Sequence, residues 1–219
     1  MSAMERVLTS DGSETFLSHV TGETYHSRSG AAREARGKFC GPCGIEGLAL
    51  QGGAVILDIC FGLGYKTAAA IDICMEANPS AQVRVYAFES DPHILAMTGA
   101  VDPPFHSYGL VRRAASGVSC AREGGAGITL LRGDAREEIL RIDEMADAVF
   151  FDPFSPARAP HMWTTEFFRD IRARMRPGAR LATYSCARAA RDSLRAAGFE
   201  VMDGPSVGRR APSTLAFNP

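Results

Sequence analysis

Along the chain, short runs of β-branched and aromatic residues alternate with segments whose apolar residues recur at helical spacing. The runs cover 54–60 (AVILDIC), 83–89 (VRVYAFE), 128–134 (ITLLRGD), 147–152 (DAVFFD) and 179–185 (ARLATYS), each the length of a buried strand. Between them, 68–77, 135–142, 164–175 and 187–198 read as helices. Asn78-Pro79 ends the first, Pro177-Gly178 the third and Gly198 the last. FEVMD (199–203) and STLAF (213–217) form a closing pair of strands. This alternation predicts an α/β fold, a doubly wound and mainly parallel sheet of seven strands with helices on both faces. Upstream, 10–29 reads as short strands and turns, and 30–39 as a helix stopped by the glycine–proline cluster at 41–44. The stretch 99–127, with Pro103-Pro104 and many glycines, reads as a loop or insertion. The expected division is an N-terminal extension over 1–50, capping a site, and a main domain over 51–219.

Composition narrows the function. An apolar fraction of 46% and a charged fraction of 22% are globular values, which excludes disorder and fibrous classes. The formal net charge is −1, so any nucleic-acid partner must be met by a local basic patch. Of 24 basic residues only Lys38 and Lys66 are lysine. No apolar run approaches the roughly 20 residues that cross a bilayer. The first nine residues lack the basic-then-apolar order of a signal peptide. A cytoplasmic protein without a membrane partner is expected. Six cysteines scattered over 219 residues do not form a secreted disulfide framework.

The candidate chemistry lies at the strand ends. LDICFGLGYKT (57–67) runs from an apolar strand carrying Asp58 through Gly62 and Gly64 into a helix, a backbone shape that lets a ligand approach free N–H groups. A plain tight turn gives the same letters. Glu89 ends the second strand, where an acidic residue accepts hydrogen bonds from ribose hydroxyls. The absence of a third glycine favours S-adenosylmethionine over NAD. Asp134, after the third strand, suits an adenine amino group or, equally, a helix N-cap. The fourth strand ends in Asp152-Pro153-Phe154-Ser155-Pro156, similar to the Asp-Pro-Pro-Tyr type motif of amino-group methyltransferases, although two prolines also suit a simple strand exit.

With these segments the chain resembles the methyltransferase part of the bacterial bifunctional tRNA 5-methylaminomethyl-2-thiouridine synthesis proteins and their stand-alone relatives. The likeness runs through TSDGSETF (9–16), GETYHSRSGAAREA (22–35), LDICFGLGY (57–65), FES (88–90), GDAREEI (133–139), FFDPFSPARAPHMW (150–163), LATYSCARAARDSLRAAGF (181–199) and VGRR (207–210). It implies a Rossmann-like class I methyltransferase that uses S-adenosylmethionine to methylate 5-aminomethyluridine at the tRNA wobble position, with the anticodon loop as partner and no metal. By motif, Tyr25, Gly30 and Glu34 fall at the methionine end of the cofactor, Gly62 and Gly64 at its floor, Glu89 at the ribose and Asp134 near the adenine, with Asp58 a further cofactor-binding candidate. Asp152 falls between donor and acceptor. The flavin oxidoreductase half of the bifunctional proteins is absent from 219 residues. One departure stands out: Cys60 replaces a family glycine, which matters if the backbone there needs positive φ.

Phe154 and the arginines Arg188, Arg191, Arg209 and Arg210 are the candidates for holding tRNA. Arg188, Arg191 and Arg195 share a helical stripe. His26 and His161 lie inside family-like motifs but equally suit ordinary hydrogen-bonded or surface roles. Cys40-Gly-Pro-Cys43 has the letters of a redox pair yet follows a helix, so a turn is the simpler reading. The competing functions are methyl or aminopropyl transfer to a small-molecule amine, and a non-catalytic tRNA-binding protein.

Overall fold

The computed structural model describes residues 4–219; the first three residues of the 1–50 segment lie outside it. In chain order the strands are β1 (Glu5–Leu8), β2 (Glu14–Leu17), β3 (Gly53–Ile59), β4 (Gln82–Glu89), β5 (Ala121–Glu123), β6 (Ala126–Arg132), β7 (Ala146–Phe151), β8 (Met175–Thr183), β9 (Glu200–Asp203) and β10 (Thr214–Phe217). The α-helices are α1 (Ala31–Glu34), α2 (Gly41–Cys43), α3 (Ile45–Leu50), α4 (Tyr65–Ala77), α5 (Pro92–Ala96), α6 (Tyr108–Ala115), α7 (Ala135–Glu138), α8 (Thr165–Arg172) and α9 (Arg188–Ala196).

The sheet order is β5-β6-β4-β3-β7-β8-β10-β9, with β6, β4, β3, β7 and β8 parallel. The doubly wound, mainly parallel sheet is as the alternation implies, but it has eight strands rather than seven. The extra one is β5, a three-residue strand antiparallel to β6. It belongs to the 99–127 stretch read as a loop, which also contains α6 with Tyr108, Leu110, Val111, Ala114 and Ala115 buried. Prolines at its start and glycines at its end mask an amphipathic turn pattern between them.

A second departure lies at 41–44. The segment winds on through a π turn (Ala35–Cys40) into α2, because Pro42 sits in the first turn of α2, where its missing N–H is harmless. The stop comes one residue later, at Gly44, with φ 70°. One apolar layer packs Phe16, Ala31, Phe39, Ile45 and α4 against one sheet face. The other packs Phe167, Phe168, Ile171 and Leu194 against the opposite face. Residues 31–50 therefore cover a sheet face, while the β1–β2 hairpin and the strap that follows it (18–29) lie towards the strand ends. Among the described residues no helix is long and apolar enough to cross a membrane.

Candidate active site

The parallel strands deliver their carboxyl ends to one cavity of about 760 Å³. Cys60 and Gly62 follow β3, Glu89 ends β4, Gly133 and Asp134 follow β6, Asp152 follows β7 and Tyr184 follows β8. The strand order reverses between β3 and β7, and a doubly wound sheet opens its ligand crevice there. Residues 17–28 close the cavity from above.

Glu89 is 8% exposed. Its carboxylate accepts from the N–H groups of Gly62 at 2.8 Å and of Ser90 and Asp91 at 2.9 Å. Burial raises its pKa, and these backbone donors oppose the rise. Gly62 has φ 59°, and a side chain there would meet the His26 ring at 3.6 Å. Of the two roles its sequence context offered, the N-cap is the one Asp134 makes here. It caps α7 through the Arg136 N–H at 2.9 Å, and it borders the cavity. The Arg136 side chain pairs with it and lowers its pKa.

Asp152 stands in the wall with its N–H fixed to the Ile59 carbonyl at 3.1 Å. Burial pushes its carboxyl up to about 7, against the pull of Lys66. The Lys66 ammonium lies 3.0 Å from Asp152 Oδ2, 3.1 Å from the Cys60 carbonyl and 3.5 Å from Asp58 Oδ1. Neither lysine carried a candidate role in the sequence, yet both are buried at this site. Lys38 bonds Glu34 at 2.5 Å, and both line the cavity. Their signal was scarcity, since arginine fills every other basic position of the chain.

The strap is anchored by specific bonds. The Tyr25 hydroxyl donates to Asp91 at 2.5 Å, and its ring meets Phe154 edge-on at 5.1 Å. Burial, reinforced by Asp91, raises the Tyr25 pKa well above its ordinary value. Glu23 accepts two bonds from Ser155. His26 is buried and stacks on Tyr65 at 4.8 Å, and burial pushes its pKa down to about 3. Trp163 donates to the Phe154 carbonyl at 2.9 Å from within the core, so its place is structural.

Six expected contacts lie outside the cavity wall. Gly30 (φ 134°) serves a backbone turn, where a Cβ would stand 2.6 Å from the Asp11 carboxylate. Gly64 (φ 74°) is closed in by Phe61 and Val111, 2.4 and 2.7 Å from a Cβ. Asp58 is fully buried behind the wall and takes the Thr67 hydroxyl at 2.7 Å. Arg191 ties α9 to the edge strands through Thr214 at 2.8 Å and Asp203 at 2.7 Å. Arg188 projects into solvent beside Asp192, and Arg210 is exposed away from the cavity. Helical spacing put Arg188 and Arg191 on one stripe, but it could not say that Arg191 turns to the sheet edge while Arg188 faces solvent. Arg209 does line the cavity mouth, together with Arg28 and Arg158.

Cys60 adopts φ 64°, and it is the one non-glycine with positive φ among the described residues. Its departure from glycine therefore falls where the backbone needs that conformation. Cys40 and Cys43 are buried, their thiols donate to carbonyls of Lys66, Val149 and Arg180, and burial pushes Cys43 up to about 12. Such thiols are inert.

Comparison with known proteins agrees with this geometry. A family described as S-adenosyl-L-methionine-dependent methyltransferase matches residues 106–219. The uncharacterized protein MJ0670 of Methanocaldococcus jannaschii is 32% identical over 96% of the chain and 58% of its own length. The tRNA 5-methylaminomethyl-2-thiouridine biosynthesis bifunctional protein MnmC of Caulobacter vibrioides is 31% identical over 92% of the chain. The chain spans 36% of that protein. The crystal structure of MNMC2 from Aquifex aeolicus superposes with a TM-score of 0.90 at 33% identity, covering 100% of this chain and 71% of that one. The residues present suit S-adenosylmethionine: a cavity of ligand size, a buried carboxylate at the β4 end and a Gly62 backbone open to close approach. On sequence, fold and site together, the chain belongs to the S-adenosyl-L-methionine-dependent methyltransferases of the MnmC type.

Proposed function

We propose that this enzyme methylates the primary amine of 5-aminomethyluridine, with or without a 2-thio group, at the wobble position of tRNA. The observation that carries the reading is Asp152. It is a wall carboxylate with Oδ2 engaged by Lys66, leaving Oδ1 as the oxygen available to an amine. The names of the similar proteins support the tRNA substrate. When bound, S-adenosylmethionine supplies a methyl group on a sulfonium centre, and its sulfur leaves with the C–S electron pair as a neutral thioether.

The chain's residues supply alignment and a proton acceptor. Glu89 would hold ribose hydroxyls, and Asp134 borders the adenine side. Tyr25, Glu34 and Lys38 surround the methionine end, and Phe154 offers a ring to the base. An aminomethyl group is protonated near neutral pH and attacks only through its lone pair. Asp152, with a carboxyl pushed to about 7, is matched to take that proton and orient the nitrogen. The bond that forms is N–CH₃, and positioning alone can supply several kcal/mol. The strap over 18–29 would serve as the cap, with 51–219 as the cofactor-binding domain. Arg28, Arg158 and Arg209 at the mouth would meet phosphates while the base leaves its stack to enter.

The test is mass spectrometry of nucleosides after tRNA bearing 5-aminomethyluridine is incubated with the protein and methyl-labelled cofactor. Label in 5-methylaminomethyluridine is the expected product. Label in polyamines but not in tRNA would refute the reading.

A further inference from the structure

Lys66 sits in the first turn of α4 with a side chain 2% exposed. Its ammonium has three hydrogens and three oxygen neighbours: Asp152 Oδ2, the Cys60 carbonyl and Asp58 Oδ1. These come from the tips of β3 and β7, the two strands that flank the switch in strand order. Asp58 Oδ1 has no hydrogen-bond partner among the described residues, so its charge is answered by the nearby ammonium. The Cys60 carbonyl comes from the residue held at positive φ, so backbone strain is stored at a group that holds Lys66. A guanidinium would not fit. Its donors are spread over a planar fork, whereas these acceptors surround one nitrogen. That accounts for a lysine at this position in a chain whose basic residues, Lys38 apart, are otherwise arginine.

We propose that Lys66 is the positioning residue of Asp152: clamped by Asp58 and the Cys60 carbonyl, it fixes which Asp152 oxygen faces the cavity and keeps that carboxylate anionic. The proposal rests on Asp152 being the group that meets the acceptor amine. The other charges around Asp152 do not replace this one. Glu34 on α1 and Asp58 on β3 are anions that oppose its ionisation, and Lys38 is engaged by Glu34. Glu23 of the strap is bonded to Ser155. Arg209 gives one guanidinium nitrogen to the carbonyls of Tyr184 and Pro212, and the Tyr184 hydroxyl stays protonated because burial and the Asp152 charge raise its pKa. Among the described residues, Lys66 is the cation in contact with Asp152.

The experiment is a carboxyl-carbon NMR titration of protein labelled with ¹³C-aspartate, the Asp152 signal being assigned by its loss in Asp152→Asn. Lys66→Met is expected to move the Asp152 midpoint upward by at least about one pH unit. Asp58→Asn, which leaves the Lys66 charge undivided, is expected to move it downward, and it carries the test if Lys66→Met fails to fold. A midpoint unchanged in the folded variants overturns the proposal. Activity gives a second readout. The acidic limb of the pH–rate profile on aminomethyl-bearing tRNA should rise in Lys66→Met by the same interval, with the rate recovering at high pH. A uniform loss of rate with an unmoved limb would mean a merely structural lysine and also overturns the proposal. If the parent protein is silent on tRNA while the Asp152 midpoint still shifts, the substrate reading fails and the Lys66 assignment stands.

Discussion

Glu23 and Ser155 hold one another across 132 residues of chain, the carboxylate accepting from the serine N–H at 2.9 Å and from its hydroxyl at 2.5 Å. One partner belongs to the strap over the cavity and the other to the loop leaving β7. The pair therefore fixes the roof of the site to the segment that carries Asp152. Removing it should loosen the roof without touching the cofactor's own contacts. Glu23→Ala is expected to weaken S-adenosylmethionine binding about tenfold, from the loss of charge-assisted bonds worth about 1.5 kcal/mol. Calorimetry that finds an unchanged Kd would show that the strap is held by other contacts.

Cys60 pays for its left-handed backbone. A non-glycine residue there costs about 1–2 kcal/mol, and glycine returns about 0.5–1 kcal/mol of that through its freer unfolded chain. Cys60→Gly should therefore raise the melting temperature by a few degrees at most, about 2–4 °C per kcal/mol for a chain of this size. Cys60→Ala keeps the strain and should show no such gain. Equal melting shifts in the two variants would assign the effect to the thiol instead.

Glu34 and Lys38 form a buried ion pair one helical turn apart, with side chains 9% and 3% exposed. Glu34 also accepts the Ser27 N–H at 2.8 Å, which ties the strap to α1. Lys38→Met strands a buried carboxylate and should destabilise the fold by about 3 kcal/mol or more in urea unfolding. Combined with Glu34→Leu it should cost clearly less than the sum of the two single changes. Strict additivity would mean that the two charges do not depend on each other.

His26 should make the fold acid-sensitive. Burial holds it neutral, with its pKa near 3 against an ordinary 6.5. Between those values the unfolded chain binds a proton that the folded chain refuses, so stability is lost as pH falls through that window. His26→Phe keeps a ring on Tyr65 and should flatten the stability profile between pH 6.5 and 3. A parallel profile in the variant would place the acid sensitivity elsewhere.

The arginines at the cavity mouth separate from those on α9. If tRNA is the substrate, Arg158→Ala and Arg209→Ala should each flatten the salt dependence of tRNA binding by about one log–log unit. Arg188→Ala should leave it unchanged, and cofactor affinity should hold in all three. A slope that responds to Arg188 and not to Arg209 would move the phosphate contacts to α9.

Local pattern carried far into this structure, and it stopped where contacts become long-range. Five strand tips were readable because a parallel strand buried on both faces is a short apolar run, and Glu89, Asp134 and Asp152 each lie at the end of one or within two residues of it. Helix α6 was hidden because its eight residues lie between prolines and glycines that announce a loop. Arg191 was misplaced because helical periodicity gives a stripe, not the neighbour it faces. Lys66 went unassigned for the same reason. Its partner Asp152 is 86 positions away, and a lone lysine in sequence looks like surface.

The concealment of both lysines makes the native chain a poor target for a protease that cuts only after lysine. The two sites at Lys38 and Lys66 sit 3% and 1% exposed, inside helical backbone that must unravel before cleavage. Digestion should therefore proceed only through opened molecules and count how often the fold comes apart. Any small molecule that seats in the cavity should slow that count in proportion to its occupancy. The protein thus carries its own ligand-binding assay, readable on a gel.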